Sequence, residues 1–273
     1  MTARQLLEYF LDLSPWVDRS ITVDQIRYGN PDADLKKIGV GFSACDKNLI
    51  KAGQEGCDLF ISHEQAFAYN SKTPDLFKLP WAKKKIDILA RYDLTAMNLH
   101  DTWDHFPKYG IRDAFAQFLG LDNLICEMDY IHPWNDTVTT GKNSIGLYSI
   151  NPVTLHTFSK DMLNRLSAIG GYGIKYFGNG KTIIRSVAIG VGCHIPTFQA
   201  LDRGSDLLVM VYDRALEVGL RIQLAESGAN IIVIEHSFAE IPAMKKMAEY
   251  IETHLDIPAE FYNEEPKYTY LSY

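Results

Sequence analysis

Short apolar runs alternate with amphipathic stretches along most of this chain, and that alternation limits what it can fold into more than any other feature. Residues 38–42, 58–62 and 94–99 read as buried strands, separated by helical patterns such as 47–54 and 79–91. Parallel strands need a long crossover to bring the chain back to the same sheet edge, so strand–helix–strand alternation predicts a largely parallel sheet and an α/β fold class. After a less regular stretch at 123–181, the alternation resumes with strands at 186–191, 206–210 and 230–233. Long helical patterns cover 215–227 and 239–254.

The two runs of alternation can be laid over one another. Lys37-Ile-Gly-Val-Gly-Phe, a helix, then Gly56-Cys-Asp-Leu-Phe-Ile matches Ser186-Val-Ala-Ile-Gly-Val, a helix, then Gly204-Ser-Asp-Leu-Leu-Val. The next strand of each half ends in a His with an acid four residues on, His100 with Asp104 and His236 with Glu240. Strand–helix–strand units resemble each other by chance in their apolar parts, but the matched His and acid are harder to explain that way. The reading is a duplication: a first half at 1–122, an inserted segment at 123–184, and a second half at 185–273.

Composition removes several classes of function. With 27 Lys+Arg against 34 Asp+Glu the formal net charge is -7, and the tightest basic run is Lys83, Lys84 and Lys85. A surface that coats a polyanion needs grouped cations, so no nucleic-acid surface is expected. No apolar run approaches the roughly 18 residues a membrane span requires. At the start, Leu6, Leu7, Tyr9, Phe10 and Leu13 are interrupted by Glu8 and Asp12, which suits an amphipathic helix rather than a secretory segment. A cytoplasmic location is the resulting expectation. Cys45, Cys57, Cys126 and Cys193 lie far apart with no C-x-x-C pair, and are expected to be buried reduced thiols, Cys45 least so because of its loop position.

In parallel α/β sheets the loops beyond the strands' carboxyl ends form the ligand crevice. His63-Glu64, His100 with Asp104, and His236 with Glu240 all fall there. Neutral imidazoles and charged carboxylates together supply the ligand number and charge balance a divalent ion needs. Five or more such groups would over-supply one ion, so two ions sharing a bridging carboxylate are the natural reading. Blander roles exist for each. His63-Glu64 could be a loop pair or a helix cap, and Asp104 could cap a helix beginning near Pro107, with Asp101 a rival acid. Glu240 could be an exposed first-turn acid favoured by the helix dipole. The other histidines, His105, His132, His156, His194 and His254, show no comparable pairing, and Gly190-Val-Gly192 reads as a turn.

With these motifs in place, the chain resembles the NIF-three-like dinuclear metal centre family, also named GTP cyclohydrolase I type 2 homologues. Gly56-Cys-Asp-Leu-Phe-Ile-Ser-His63-Glu-Gln-Ala-Phe is similar to that family's G-A-D-L-I-I-T-H-H-P-L-I-F, and Leu99-His100-Asp-Thr-Trp-Asp104 to its H-T-N-x-D. Glu235-His236-Ser-Phe-Ala-Glu240 is similar to its G-H-x-x-T-E, and Arg27-Tyr-Gly-Asn-Pro-Asp to the G-D-P before its first strand. The resemblance implies metal ligation by His63, Asp104, His236 and Glu240. The family's second His falls on Glu64, whose harder oxygen would shift preference from zinc toward manganese, iron(II) or magnesium; the alternative is a weakened or empty second position. Its Thr before the final Glu is Ala239, and its T-G-D-x-x-x-H segment has become the stretch from Met210 to Leu216.

The function these features lead one to expect is a metal-dependent hydrolase in which two divalent ions, bridged by Asp104 or Glu240, activate water. The substrate would be a phosphoester or a nucleotide-like or purine-like small molecule. His100, placed outside the ligand set, is the candidate for proton transfer or for orienting a ligand, with a structural hydrogen bond as its rival role. The alternative is a non-catalytic metal-binding or scaffold protein. The resemblance also implies a homohexamer, for which the tyrosine-rich tail at 266–273 would be a contact surface.

Overall fold

The computed structural model describes residues 1–67, 79–131, 141–212 and 216–264. In chain order it begins with α1 (Ala3–Asp12), β1 (Gln25–Tyr28), β2 (Ile38–Gly41), α2 (Asp46–Gln54), β3 (Leu59–Ser62), α3 (Pro80–Arg91), β4 (Thr95–Asn98) and α4 (Asp101–Asp104). It continues with α5 (Ile111–Leu119), β5 (Asn123–Met128), β6 (Ile145–Thr154), α6 (Leu155–Ser167), β7 (Lys175–Phe177), β8 (Ile183–Ile189) and α7 (Phe198–Asp202). Last come β9 (Leu207–Tyr212), α8 (Leu216–Glu226), β10 (Asn230–Glu235), α9 (His236–Leu255) and β11 (Ala259–Phe261). The described residues divide into two compact units, Met1–Gly110 with 243–264, and Ile111–Pro242. The tail at 266–273 and His132 lie outside the described residues. Among the described residues no helix is long and apolar enough to cross a membrane.

The first unit holds a five-stranded sheet in the order β1-β4-β3-β2-β11. Strands β11, β2, β3 and β4 run parallel, with Val40 opposite Ile61 and Ile61 opposite Met97, while β1 adds an antiparallel edge to β4. β2, β3 and β4 are buried along their whole length, as a parallel sheet covered on both faces requires. Helix α1 starts on a capping box, Thr2 accepting from the Gln5 amide and Gln5 accepting from the Thr2 amide, and buries Leu6 and Phe10. Phe10 meets Trp103 edge-to-face at 5.8 Å between ring centroids.

The second unit holds a six-stranded sheet in the order β5-β6-β8-β9-β10-β7. Its parallel core is β8, β9 and β10, and β7 adds an antiparallel edge to β10. The two sheets therefore share one plan: three parallel strands, the last of which leads to a His and carries an antiparallel edge strand. A repeated side-chain device accompanies that plan. Gly56 and Gly204 end their helical stretches with φ of +77° and +87°, a region open to glycine. Two residues on, Asp58 accepts from the Lys36 and Lys37 amides, and Asp206 accepts from the Arg185 amide. Each carboxylate ties the start of its own strand to the neighbouring strand. The duplicated halves expected from the sequence thus recur in topology and in these aspartates.

The strand and helix positions follow the sequence expectations closely, with α9 beginning at His236 rather than 239. The irregular middle resolves into β5, α6, β7 and the ten-residue β6, which pairs antiparallel with both β5 and β8. All four cysteines are free thiols, but only Cys57 is buried; Cys45, Cys126 and Cys193 are half-buried, against the expectation of burial for all four.

Candidate metal centre

In the first unit, the end of β3 delivers His63 and Glu64, and the turn after β4 delivers His100 and Asp104. Both carriers are held by buried polar side chains. Asn98, fully buried at the end of β4, donates from Nδ2 to the Glu64 carbonyl at 2.5 Å and to Ser62 Oγ at 3.2 Å. Its Oδ1 accepts the Ala66 amide at 3.2 Å, so one amide side chain fixes the backbone on either side of His63-Glu64. Asp24, just ahead of β1, accepts the amides of His100, Asp101 and Thr102 at 2.5, 3.0 and 2.8 Å. These are the amides at the start of α4 that have no partner within the helix, so Asp24 caps the short turn from a distant part of the chain. Burial pushes the Asp24 carboxyl above its ordinary range, against the pull of those amides. From the other side the turn is anchored by Trp103, fully buried, whose Nε1 donates to the Ala243 carbonyl at 3.0 Å.

These constraints fix the geometry of a His63, His100 and Asp104 group, whose ligand-type atoms all lie within 4.8 Å of one another. His63 is fully buried and its Nδ1 lies 3.3 Å from the Leu99 carbonyl. A carbonyl can only accept, so that contact assigns the proton to Nδ1 and the lone pair of the neutral ring to Nε2. Nε2 faces Asp104 Oδ1 at 3.4 Å. That separation exceeds an ordinary N–H···O hydrogen bond of about 2.9 Å. It matches two donors each about 2.0–2.2 Å from one ion. The facing pair, a neutral imidazole and a carboxylate, suits a divalent cation.

His100 stacks on His63 with centroids 4.4 Å apart. Its Nδ1 is nearer Asp101 Oδ1, at 2.9 Å, than Asp104 Oδ2, at 3.6 Å. Asp101 in turn accepts from Thr22 Oγ1 at 2.7 Å and from the Val23 amide at 3.3 Å. Burial raises the Asp101 carboxyl, but the hydrogen bonds from His100 and Thr22 outweigh it and hold the group below its ordinary value. The two acids of this turn therefore divide: Asp101 orients His100, and Asp104 faces His63. Asp104 is the last residue of α4, and the next helix starts at Ile111, so it caps no helix near residue 107.

In the second unit, β10 runs directly into α9 and places His236 at the first helical position with Glu240 one turn on. His236 Nε2 and Glu240 Oε1 are 2.7 Å apart. Glu240 is 1% exposed, so it is not the solvated first-turn acid that its sequence position also allowed. The turn after β8 closes over this pair: Gly192 has φ +46°, and a Cβ there would lie 2.5 Å from Glu240 Oε1 and 3.3 Å from His236 Nε2. The sequence did not point to Asn98 or Asp24, and Gly192 was read only as part of a turn. A polar residue closing a buried strand and a glycine in a short turn were the available signals. His194, in the same turn, sits 3.0 Å from Ser144 Oγ through Nδ1 and stacks on Tyr130.

A mixed α/β fold built from two like sheets, each leading into a His and an acid, defines the class of protein. The family model described as Duf34/NIF3 (NGG1p interacting factor 3) matches residues 4–267, and the chain belongs to that family. A "GTP cyclohydrolase 1 type 2 homolog" of Clostridium perfringens is 24% identical, over 85% of this chain and 84% of that one. A protein of the same name from Methanocaldococcus jannaschii is 22% identical, over 94% and 97%. Among solved structures, a Bacillus cereus protein related to NIF3 superposes with a TM-score of 0.76 at 12% identity, over 99% of both chains. At that identity the likeness is one of fold.

Proposed function

We propose that this chain is a metal-dependent hydrolase with a dinuclear divalent-metal site, acting on a phosphoester or on a nucleotide-like or purine-like small molecule. The observation that carries the reading is the 3.4 Å separation of His63 Nε2 and Asp104 Oδ1, a spacing suited to a shared ion rather than to a hydrogen bond. His63, Glu64, Asp104, His236 and Glu240 are the ligands in this reading, and manganese, iron, zinc and magnesium are the candidate ions. A divalent ion held by such residues supplies Lewis acidity and brings the pKa of the water it binds toward neutrality. The names of the curated relatives support a nucleotide-type substrate.

The chain's own contribution is placement and proton handling. His63 is buried and tautomerically fixed by the Leu99 carbonyl, so it serves as a ligand and not as a proton carrier. His100, with its side chain 31% exposed and Nδ1 on Asp101, is the group that can pass a proton to a leaving group. Asp101 stabilises its charged form. Homohexameric assembly and a cytoplasmic location are part of the same proposal, supported by family membership alone.

Turnover of GTP and of a phosphodiester, screened with manganese, magnesium, iron and zinc, tests the reading. Activity with one of these ions, lost by about 10²-fold or more in His100→Ala with metal content unchanged, is the expected result. Loss of metal in that variant would make His100 a ligand. A second reading, a structural metal-binding or scaffold role, is favoured by the burial of His63 and Glu240. It predicts bound ions, no turnover of either substrate, and unfolding of Asp104→Ala.

A further inference from the structure

A cavity of about 480 Å³ opens in the second unit at the carboxyl ends of β9 and β10, lined by Tyr172, Ile174, Lys175, Tyr212, Val233 and Glu235 among others. Its volume is within the usual range for a small-molecule site, and the carboxyl ends of parallel strands are where such sites form. The walls combine three kinds of chemistry. Ile174, Val233 and the rings of Tyr172 and Tyr212 are apolar, with the two tyrosines 40% and 55% exposed. Lys175 brings an ammonium group 5.3 Å from the Tyr212 ring centroid, and the Arg221 guanidinium lies 5.0 Å from the same ring. Glu235 supplies a carboxylate that accepts from the Tyr172 hydroxyl at 2.8 Å.

Lys175, Tyr212, Val233 and Glu235 belong to β7, β9 and β10, but of these four only Val233 is a core residue. Exposed tyrosines gathered with a Lys and a Glu at a strand end contribute little to a core. Glu235 also stands where the family pattern has the Gly before its His, and Tyr212 lies in the segment where the T-G-D pattern is lost. Two departures of this chain thus meet in one cavity.

We infer that this cavity binds a planar heteroaromatic small molecule carrying an N–H donor on one edge and an anionic substituent on another. The ring would lie against the tyrosines, its N–H toward Glu235 and its anion toward Lys175. Arg221, 5.0 Å from the Tyr212 ring centroid, adds positive field. The site requires no metal ion, so it stands apart from the hydrolase reading, and binding measured in the presence of EDTA separates the two: either can fail without the other.

The test uses the full-length protein and three probes in EDTA by ligand-observed NMR and calorimetry. Orotate carries ring N–H groups and a carboxylate, uracil lacks the anion, and benzoate lacks the N–H. Orotate should bind at least about tenfold more tightly than either, the loss expected when one charge-assisted hydrogen bond is missing. Lys175→Ala should abolish the preference over uracil, and Glu235→Gln should weaken the preference over benzoate. Gly173 also lines the cavity and a Cβ added there meets no atom within 4 Å, so Gly173→Phe brings bulk to the cavity wall and should remove orotate binding. The inference is overturned if orotate shows no binding at millimolar concentration, if all three probes bind alike, or if Gly173→Phe leaves orotate affinity unchanged with a native circular dichroism spectrum.

Discussion

The two half-sites carry the same His-x-x-x-acid spacing and use it differently. In the second unit the acid closes on the His of its own turn, Glu240 on His236 at 2.7 Å. In the first unit the corresponding His100 has turned to Asp101, and Asp104 faces His63 from the neighbouring strand at 3.4 Å. The extra acid at position 101 makes the difference, since it takes up the imidazole that would otherwise pair with Asp104. An ion can thus be met in the first unit without breaking a short hydrogen bond, whereas in the second it must displace one between an imidazole and a buried carboxylate, which costs about 1.5–3 kcal/mol. Under the proposed metal reading, the first group is the preorganised one and should load at lower metal concentration.

The comparison can be attacked through the supports of each side. Trp103→Ala would remove the fully buried anchor of the Asp104 turn and should cost about 3–5 kcal/mol in denaturant unfolding, the largest effect of the set. Asp24→Ala leaves the amides of three consecutive residues without their acceptor and should cost about 2–3 kcal/mol. It should also weaken metal binding at the first half-site, whereas Asp24→Asn, which keeps an acceptor, should lose less. On the other side, Gly192→Ala forces an L side chain to φ +46° at about 1–2 kcal/mol and drives a methyl against Glu240. Calorimetric metal titration should then show the second half-site weakened and the first intact. Equal loss at both would break the distinction drawn between them. Thr22→Val removes one hydrogen bond from Asp101 and should cost about 1 kcal/mol, with a small change in the pH profile of any activity.

The parallel strands were legible because burial on both faces forces continuous apolar runs, as in Ile61 and its neighbours on β3 or Ile232 on β10. The edge strands were not. β1 reads Gln-Ile-Arg-Tyr and β7 Lys-Tyr-Phe, short and mixed because one side lacks a neighbour and register comes from the partner strand. For the site, the His and acid pairs were visible through their position after strands. The division of labour between Asp101 and Asp104 was not, because it depends on Thr22 and Val23, 79 and 78 residues away in sequence. Asp24 is hidden for the same reason. The start of α9 was placed late because sequence pattern favours a loop between strand and helix, whereas Glu235 passes into His236 with none; that earlier start puts Glu240 in the buried second turn.

The most direct test of the metal reading is anomalous diffraction at the zinc edge from crystals of the full-length protein grown with zinc. The expected result is a peak about 2.0–2.2 Å from both His63 Nε2 and an Asp104 oxygen. Anomalous density only at other sites, with the His63–Asp104 contact shortened below about 3.0 Å into an ordinary hydrogen bond, would contradict it.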